Sequence, residues 1–253
     1  MKISEIINEV NQIAPLEFSK KAVENGAYDN SGLLVDMGGE TQSVVFTLDL
    51  CEKAVSLAIE KNAKLIITHH PAIYRPVKSI KQSPIATCIA NGISVCSMHL
   101  NLDMADGGVE DCLAKTAGAK KVEVLEQICE GHGFGRIFDV EEKQLESFVN
   151  ELIGALNTKK YILFKGEKQT VKRVATFCGA GLNESAISRA KDADLLISAD
   201  ISHHVVSYAL DEGKSVLQLT HYASEYPVLK ALCEKLTKKI KINGYVYVDE
   251  RFL

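Results

Sequence analysis

The chain has 253 residues, 46% of them hydrophobic and 25% charged, with 33 acidic against 29 basic side chains for a net charge of −4. These proportions belong to a globular chain of one large or two small domains and exclude a disordered or collagen-like protein. The isoelectric point near 6.0 argues against a broad nucleic-acid surface, and no apolar run reaches the ~20 residues that cross a bilayer.

Apolar spacing alternates between helical and strand periods. Residues 1–13 carry Ile3, Ile6, Ile7 and Val10 on one helical face, and Glu5 and Glu9 within that pattern rule it out as a signal peptide. A strand is expected at 43–48, a helix at 52–61, a strand of continuous Leu-Ile-Ile at 64–68, a helix at 84–90, a strand at 93–98 and a helix at 107–117. Strand–helix–strand repetition of this kind predicts a parallel-rich α/β layer. A second series follows: helix 142–156, strands 161–164 and 171–178, helix 184–191, strand 195–198, helix 203–210, strand 215–219, a long helix 224–238 with Pro227 in its first turn, and a closing strand 245–249. Residues 120–140, with Gly131, Gly133 and Gly135, are less periodic and read as the break between two α/β lobes. The expected lobes are residues 1–127 with 220–253, and residues 128–219. The seven cysteines are odd in number and dispersed, with no CxxC pair. That is the pattern of reduced core thiols in a cytoplasmic protein.

The seven histidines are His69, His70, His99, His132, His203, His204 and His221. Six lie at or just past the end of an apolar strand, where open α/β sheets gather their functional groups. Two carry an acid four residues on, Asp103 after His99 and Glu225 after His221, and an i, i+4 pair at a helix start shares one face. Any single strand-end histidine is ordinarily a surface or hydrogen-bonded residue. Six of them together predict a metal site. His69, His70, Asp103, His221 and Glu225 are the candidate ligands, a mixed set suited to Zn, Mn or Fe. Five ligands exceed the needs of one tetrahedral ion, and two divalent ions with a bridging carboxylate would use the surplus. His132 lies apart and reads as structural.

Six motifs occur in order: Asp29-Asn30-Ser31-Gly32-Leu33, Thr68-His69-His70-Pro71, His99-Leu100-Asn101-Leu102-Asp103, Gly133-Phe134-Gly135-Arg136, Ala199-Asp200-Ile201-Ser202-His203-His204 and Thr220-His221-Tyr222-Ala223-Ser224-Glu225. Across essentially the whole chain they resemble the GTP cyclohydrolase 1 type 2 homologues, the NIF-three-like dinuclear metal proteins. The resemblance implies two α/β lobes with a dinuclear metal site in the crevice between them. It implies the same five ligands and a homohexamer built as a trimer of dimers. This chain departs from the family pattern at Tyr28, where a Trp is usual, and at Leu100, Ala199 and Thr220. None of these changes removes a ligand.

Fold and metal site transfer by resemblance better than reaction and substrate do. The leading expectation is a metal-dependent hydrolase that opens the guanine ring of GTP to give dihydroneopterin triphosphate and formate. In that reading His99, His203 or His204 shuttles protons, Asp200 orients one of them, and Arg136 meets the triphosphate unless it forms a structural ion pair, the commoner role. A phosphoesterase acting on nucleotides is the second expectation. A non-catalytic metal-binding regulator or interaction module is the third. The basic stretch at 235–241 reads as a solvated helix end, and Cys178-Gly179-Ala180-Gly181 as a tight strand-to-helix turn rather than a nucleophile loop.

Overall fold

The computed structural model describes residues 1–253. Helices α1 (Ile3–Ile13) and α2 (Leu16–Glu24) precede β1 (Gly32–Val35), β2 (Ser43–Thr47), α3 (Glu52–Glu60), β3 (Leu65–Thr68), α4 (Pro84–Ala90), β4 (Ser94–Ser97) and α5 (Leu100–Met104). Next come α6 (Val109–Thr116), β5 (Lys120–Cys129), β6 (His132–Gln144), α7 (Leu145–Ala155), β7 (Tyr161–Phe164) and β8 (Thr170–Thr176). They are followed by α8 (Glu184–Arg189), β9 (Leu195–Ala199), α9 (His203–Asp211), β10 (Ser215–Leu219), α10 (His221–Glu225), α11 (Pro227–Ile240), β11 (Asn243–Val246) and a 3-10 turn at Glu250–Phe252. No helix is long and apolar enough to cross a membrane.

The chain divides into two compact units, Met1–Gly108 with Leu229–Val248, and Val109–Val228 with Asp249–Leu253. These boundaries differ from the expected lobes, for reasons visible in the strand pairing. β5 hydrogen-bonds to β6, so the residues after Gly108 follow the second sheet, and α10 directly continues β10 of that same sheet.

The first unit holds a five-stranded sheet in the order β1-β4-β3-β2-β11. Four of its strands are parallel, and β1 runs antiparallel to β4. The runs Val44-Val45-Phe46 and Leu65-Ile66-Ile67 are buried throughout, as expected for strands covered on both faces. Val55 and Ala58 of α3 and Cys88 of α4 pack with Val45, Ile66 and Val95. The register fixes what emerges at the carboxyl edge. Thr47 pairs with Thr68 and Thr68 with Ser97, so Asp49, His70 and His99, each two residues further on, stand side by side.

The second unit holds a six-stranded sheet in the order β5-β6-β8-β9-β10-β7. Only β8, β9 and β10 are parallel; β5, β6 and β7 pair antiparallel with their neighbours. Phe177, Leu196 and Val216 pack beneath Ile187 of α8 and Val205 of α9.

Two expectations change here. Residues 120–140 are not a break between lobes but most of the hairpin β5–β6. β5 has no fully buried residue, which weakens the apolar alternation that marks a half-buried strand. Gly133 serves the pairing directly, because a Cβ there would lie 1.8 Å from the Glu126 carbonyl oxygen. The helix expected at 224–238 is two helices. Pro227 has no N–H to continue the ladder of α10, so the ladder restarts with Pro227 as the first residue of α11. All seven cysteines are free. Burial pushes the Cys88 and Cys96 thiols up to about 12, as inert core residues require.

Candidate metal centre

In the first unit the parallel strand ends deliver three imidazoles to one place. The His69 and His70 rings are 4.9 Å apart, His69 and His99 5.4 Å, and His70 and His99 6.0 Å. Each ring is held through Nδ1. His69 Nδ1 meets the Met98 carbonyl at 2.9 Å, His70 Nδ1 meets Asp49 at 2.8 Å, and His99 Nδ1 meets Asp29 at 2.8 Å. The partners follow from register. Asp49 comes two residues past Thr47 on β2, and Asp29 lies just upstream of Gly32, which pairs antiparallel with Ser97.

A backbone carbonyl only accepts, so His69 carries its proton on Nδ1 and, when neutral, presents a lone pair at Nε2. His69 Nε2 lies 3.5 Å from Asp103 Oδ1, and ligand atoms of His69, His99 and Asp103 all fall within 4.8 Å of one another. Asp103 reaches this position because α5 starts immediately after His99, its N-cap residue. The Asp29 side chain is almost fully buried. Burial alone would raise its pKa, but hydrogen bonds from His99, Ser31 and Ser19 outweigh it and hold the carboxyl at about 2. It is therefore charged at neutral pH and fixes the His99 ring.

The second unit repeats the pattern at the ends of β8, β9 and β10. Ala199 pairs with Leu219, which sets Asp200 beside the start of α10, and Asp200 Oδ2 lies 2.6 Å from His221 Nδ1. His221 Nε2 is 3.1 Å from Oε1 of the buried Glu225, one helical turn on. Gly179 closes over this pair. Its φ is +55°, and a Cβ there would sit 2.5 Å from Glu225 Oε1 and 2.9 Å from His221 Nε2. Its N–H donates to Ser224 Oγ at 3.0 Å, and its carbonyl accepts from Ala199 N–H at 2.8 Å. Glu110 braces the same turn from behind, accepting from the N–H groups of Gly135 at 3.2 Å and Cys178 at 3.1 Å. Burial drives the Glu110 carboxyl up to about 7, against the pull of Arg136 and those two N–H donors.

His69, His99 and Asp103 of the first unit could hold a divalent ion, and His221 and Glu225 of the second unit offer two further donors. Imidazoles locked at Nδ1 by a carbonyl or a carboxylate present Nε2 in a fixed direction, the arrangement that orients metal-bound histidine. The nitrogen and carboxylate donors suit ions of intermediate hardness.

Other expected site residues fall differently. Asp200 orients His221 rather than His99, His203 or His204. His203 and His204 occupy the exposed first turn of α9, with His204 Nε2 3.2 Å from Glu184. His132 is in the β5–β6 hairpin, with Nδ1 2.8 Å from the Glu130 carbonyl. Arg136 is buried and structural. It donates to Asp111 at 2.6 Å and to the Gly133 and Gly135 carbonyls at 2.9 and 3.1 Å. Cys178-Gly179 is the tight turn that the sequence favoured. Sequence reasoning missed Asp49, and it placed Gly179 in that turn without giving it a part in the site. It quoted Asp29 within a motif without giving it a role.

Comparison with known proteins identifies the family. A family model described as Duf34/NIF3 (NGG1p interacting factor 3) matches residues 1–249. A GTP cyclohydrolase 1 type 2 homolog from Clostridium perfringens is 28% identical over 249 residues, covering 95% of this chain and 93% of its own. NIF3-like protein 1 from Drosophila melanogaster is 30% identical over 262 residues, covering 98% and 86%. Among solved structures, a Bacillus cereus protein related to NIF3 superposes with a TM-score of 0.85 at 21% identity, covering 99% of this chain and 97% of its own. Reduced HcgD from Methanocaldococcus jannaschii does so at 0.81 and 27% identity, covering 97% of each chain. The chain belongs to the DUF34/NIF3 family.

Proposed function

We propose that the protein is a metal-dependent hydrolase in which His69, His70 and Asp103 of the first unit and His221 and Glu225 of the second are the ligands of two divalent ions. The observation that carries this reading is the common fixing of four imidazoles through Nδ1, three of them by the carboxylates Asp49, Asp29 and Asp200 and one by the Met98 carbonyl. Paired divalent ions, when bound, supply Lewis acidity that activates water and steadies an anionic transition state. His69, His70 and His221 contribute neutral nitrogen, while Asp103 and Glu225 contribute the negative charge that offsets the ions. His99, held by the ionised Asp29, is the group placed to move a proton at Nε2. His204, exposed and paired with Glu184, is not given that role.

The reaction proposed is opening of the guanine ring of GTP, in which GTP and water yield dihydroneopterin triphosphate and formate. The names of the clostridial relatives support this choice. The test is turnover of GTP by metal-reconstituted protein, with formate and pterin detected by mass spectrometry and metal content measured on the same sample. Formate release that disappears in Glu225→Ala along with bound metal supports the reading. A fully loaded protein that releases inorganic phosphate in place of formate transfers it to hydrolysis of nucleotide phosphates. A loaded protein that releases neither product from GTP refutes both.

A further inference from the structure

The second unit contains a cavity of about 480 Å³ beside His221, within the size range of small-molecule sites. One side is aromatic. Tyr226, Tyr222 and Phe252 form a column, with Tyr222 and Tyr226 stacked at 5.9 Å and 14° and Tyr222 and Phe252 at 5.7 Å and 24°. Tyr222 is buried, but the column ends on Phe252, which is 46% exposed. That exposed ring is not a loose terminus. Thr220 Oγ1 donates to the Phe252 carbonyl at 2.8 Å, the Asp249 N–H donates to the Tyr222 hydroxyl at 2.7 Å, and Arg251 bridges back to Asp249 at 2.6 Å. With Tyr222 stacked on it and the Arg251 guanidinium 5.6 Å from its centroid, the Phe252 ring still keeps 46% exposure, an aromatic surface beside the cavity on which a planar ligand can lie.

The polar lining is equally specific. Gln218 pairs directly with Ile162 across β10 and β7, so both side chains stand on one face of the sheet, and Ile162 is among the exposed apolar residues. None of the hydrogen bonds within the chain uses the Gln218 carboxamide, which offers a donor and an acceptor together. Lys160 also lines the cavity and donates to the Arg251 carbonyl, which fixes its cation there. Asp200 and His221 complete the lining.

We infer that this cavity binds the planar nitrogen heterocycle of a nucleotide. The base lies on Phe252, the Gln218 carboxamide meets its hydrogen-bonding edge, and Lys160 meets the phosphate. An aromatic plane and a two-way amide match a base, whose faces are apolar and whose edge carries adjacent donors and acceptors. The cation at Lys160 matches its anionic tail. The inference rests on the proposed hydrolase reading only in placing the base next to His221, a proposed ligand.

The test is equilibrium binding of guanosine, GTP and inorganic tripolyphosphate to the metal-loaded full chain by titration calorimetry. Phe252→Ala is expected to weaken guanosine and GTP about tenfold or more, with bound metal unchanged. Gln218→Leu should weaken both, while Lys160→Ala should weaken GTP and tripolyphosphate but not guanosine. The inference is overturned if guanosine does not bind, or if it binds wild type, Phe252→Ala and Gln218→Leu equally. Guanosine binding that is sensitive to these variants, in a protein that releases no formate, upholds the base site and refutes ring opening. Formate release with an unchanged KM in all three variants does the reverse.

Discussion

Gly179→Ala tests the geometry of the His221–Glu225 pair most directly. Two penalties combine at this position. The first is conformational, since alanine at φ +55° costs about 1–2 kcal/mol. For a chain of this size that is a fall in Tm of roughly 2–8 °C. The second is steric. The new methyl would sit 2.5 Å from Glu225 Oε1, and the Gly179 backbone cannot retreat without breaking its hydrogen bonds to Ser224 and Ala199. Glu225 or His221 must therefore move, and displacing a ligand by this route should weaken metal binding about 10–100-fold. Gly92→Ala separates the two penalties, because Gly92 has φ +61° but open space around its Cβ position. It should lose stability alone. The assay is thermal unfolding with and without added Zn²⁺ or Mn²⁺, together with metal content after dialysis. A 10–100-fold weaker site removes about 1–3 kcal/mol of metal-linked stabilisation, so the metal-induced rise in Tm should shrink in Gly179→Ala and persist in Gly92→Ala. If Gly179→Ala keeps its full complement of metal and the same rise in Tm, the placement of Glu225 and His221 as ligands is wrong.

Asp49→Ala and Asp200→Ala should each lower metal affinity about 10–100-fold without unfolding the protein, because each removes the carboxylate that fixes a ligand ring, His70 and His221 respectively; competition with a chelator measures it, and unchanged affinity in both would refute the orienting role. Glu110 predicts a pH dependence of stability. Its folded-state pKa of about 7 lies above the ordinary 4.5, so the native state keeps a proton that the unfolded chain releases. Stability therefore falls as pH rises from about 4.5 to 7, by at most about 3 kcal/mol, and is flat above that. Glu110→Gln should raise Tm at pH 8 and leave it unchanged near pH 4.5; equal effects at the two pH values would contradict the assignment. Phe46→Ala, at a fully buried position in β2, should cost about 3–5 kcal/mol in denaturant unfolding, and a loss below 1 kcal/mol would mean that this strand is not central to the first core.

Sequence alone was enough to locate the strands that carry the site. β3, β4 and β10 are short apolar runs, and a histidine just past such a run stands at the carboxyl end of its strand whatever the rest of the chain does. The i, i+4 spacing of His221 and Glu225 likewise held, because both residues lie in α10, even though Pro227 ends that helix early. The parts that stayed hidden depend on pairing across distance. Asp49 meets His70 from 21 residues away and Asp29 meets His99 from 70, and only the register of β2 with β3 and of β1 with β4 makes them neighbours. Gly179 carries no signal as a single glycine. Its role appears once β8 and β9 bring the turn over α10, leaving no room for a Cβ. β5 was unreadable for the opposite reason. A strand with no buried residue has little apolar period to detect, so residues 120–129 became a sheet edge only through hydrogen bonds that the sequence does not display. Local chemistry determined which residues could bind an ion, and long-range strand register decided which acids and which backbone turn hold them in place.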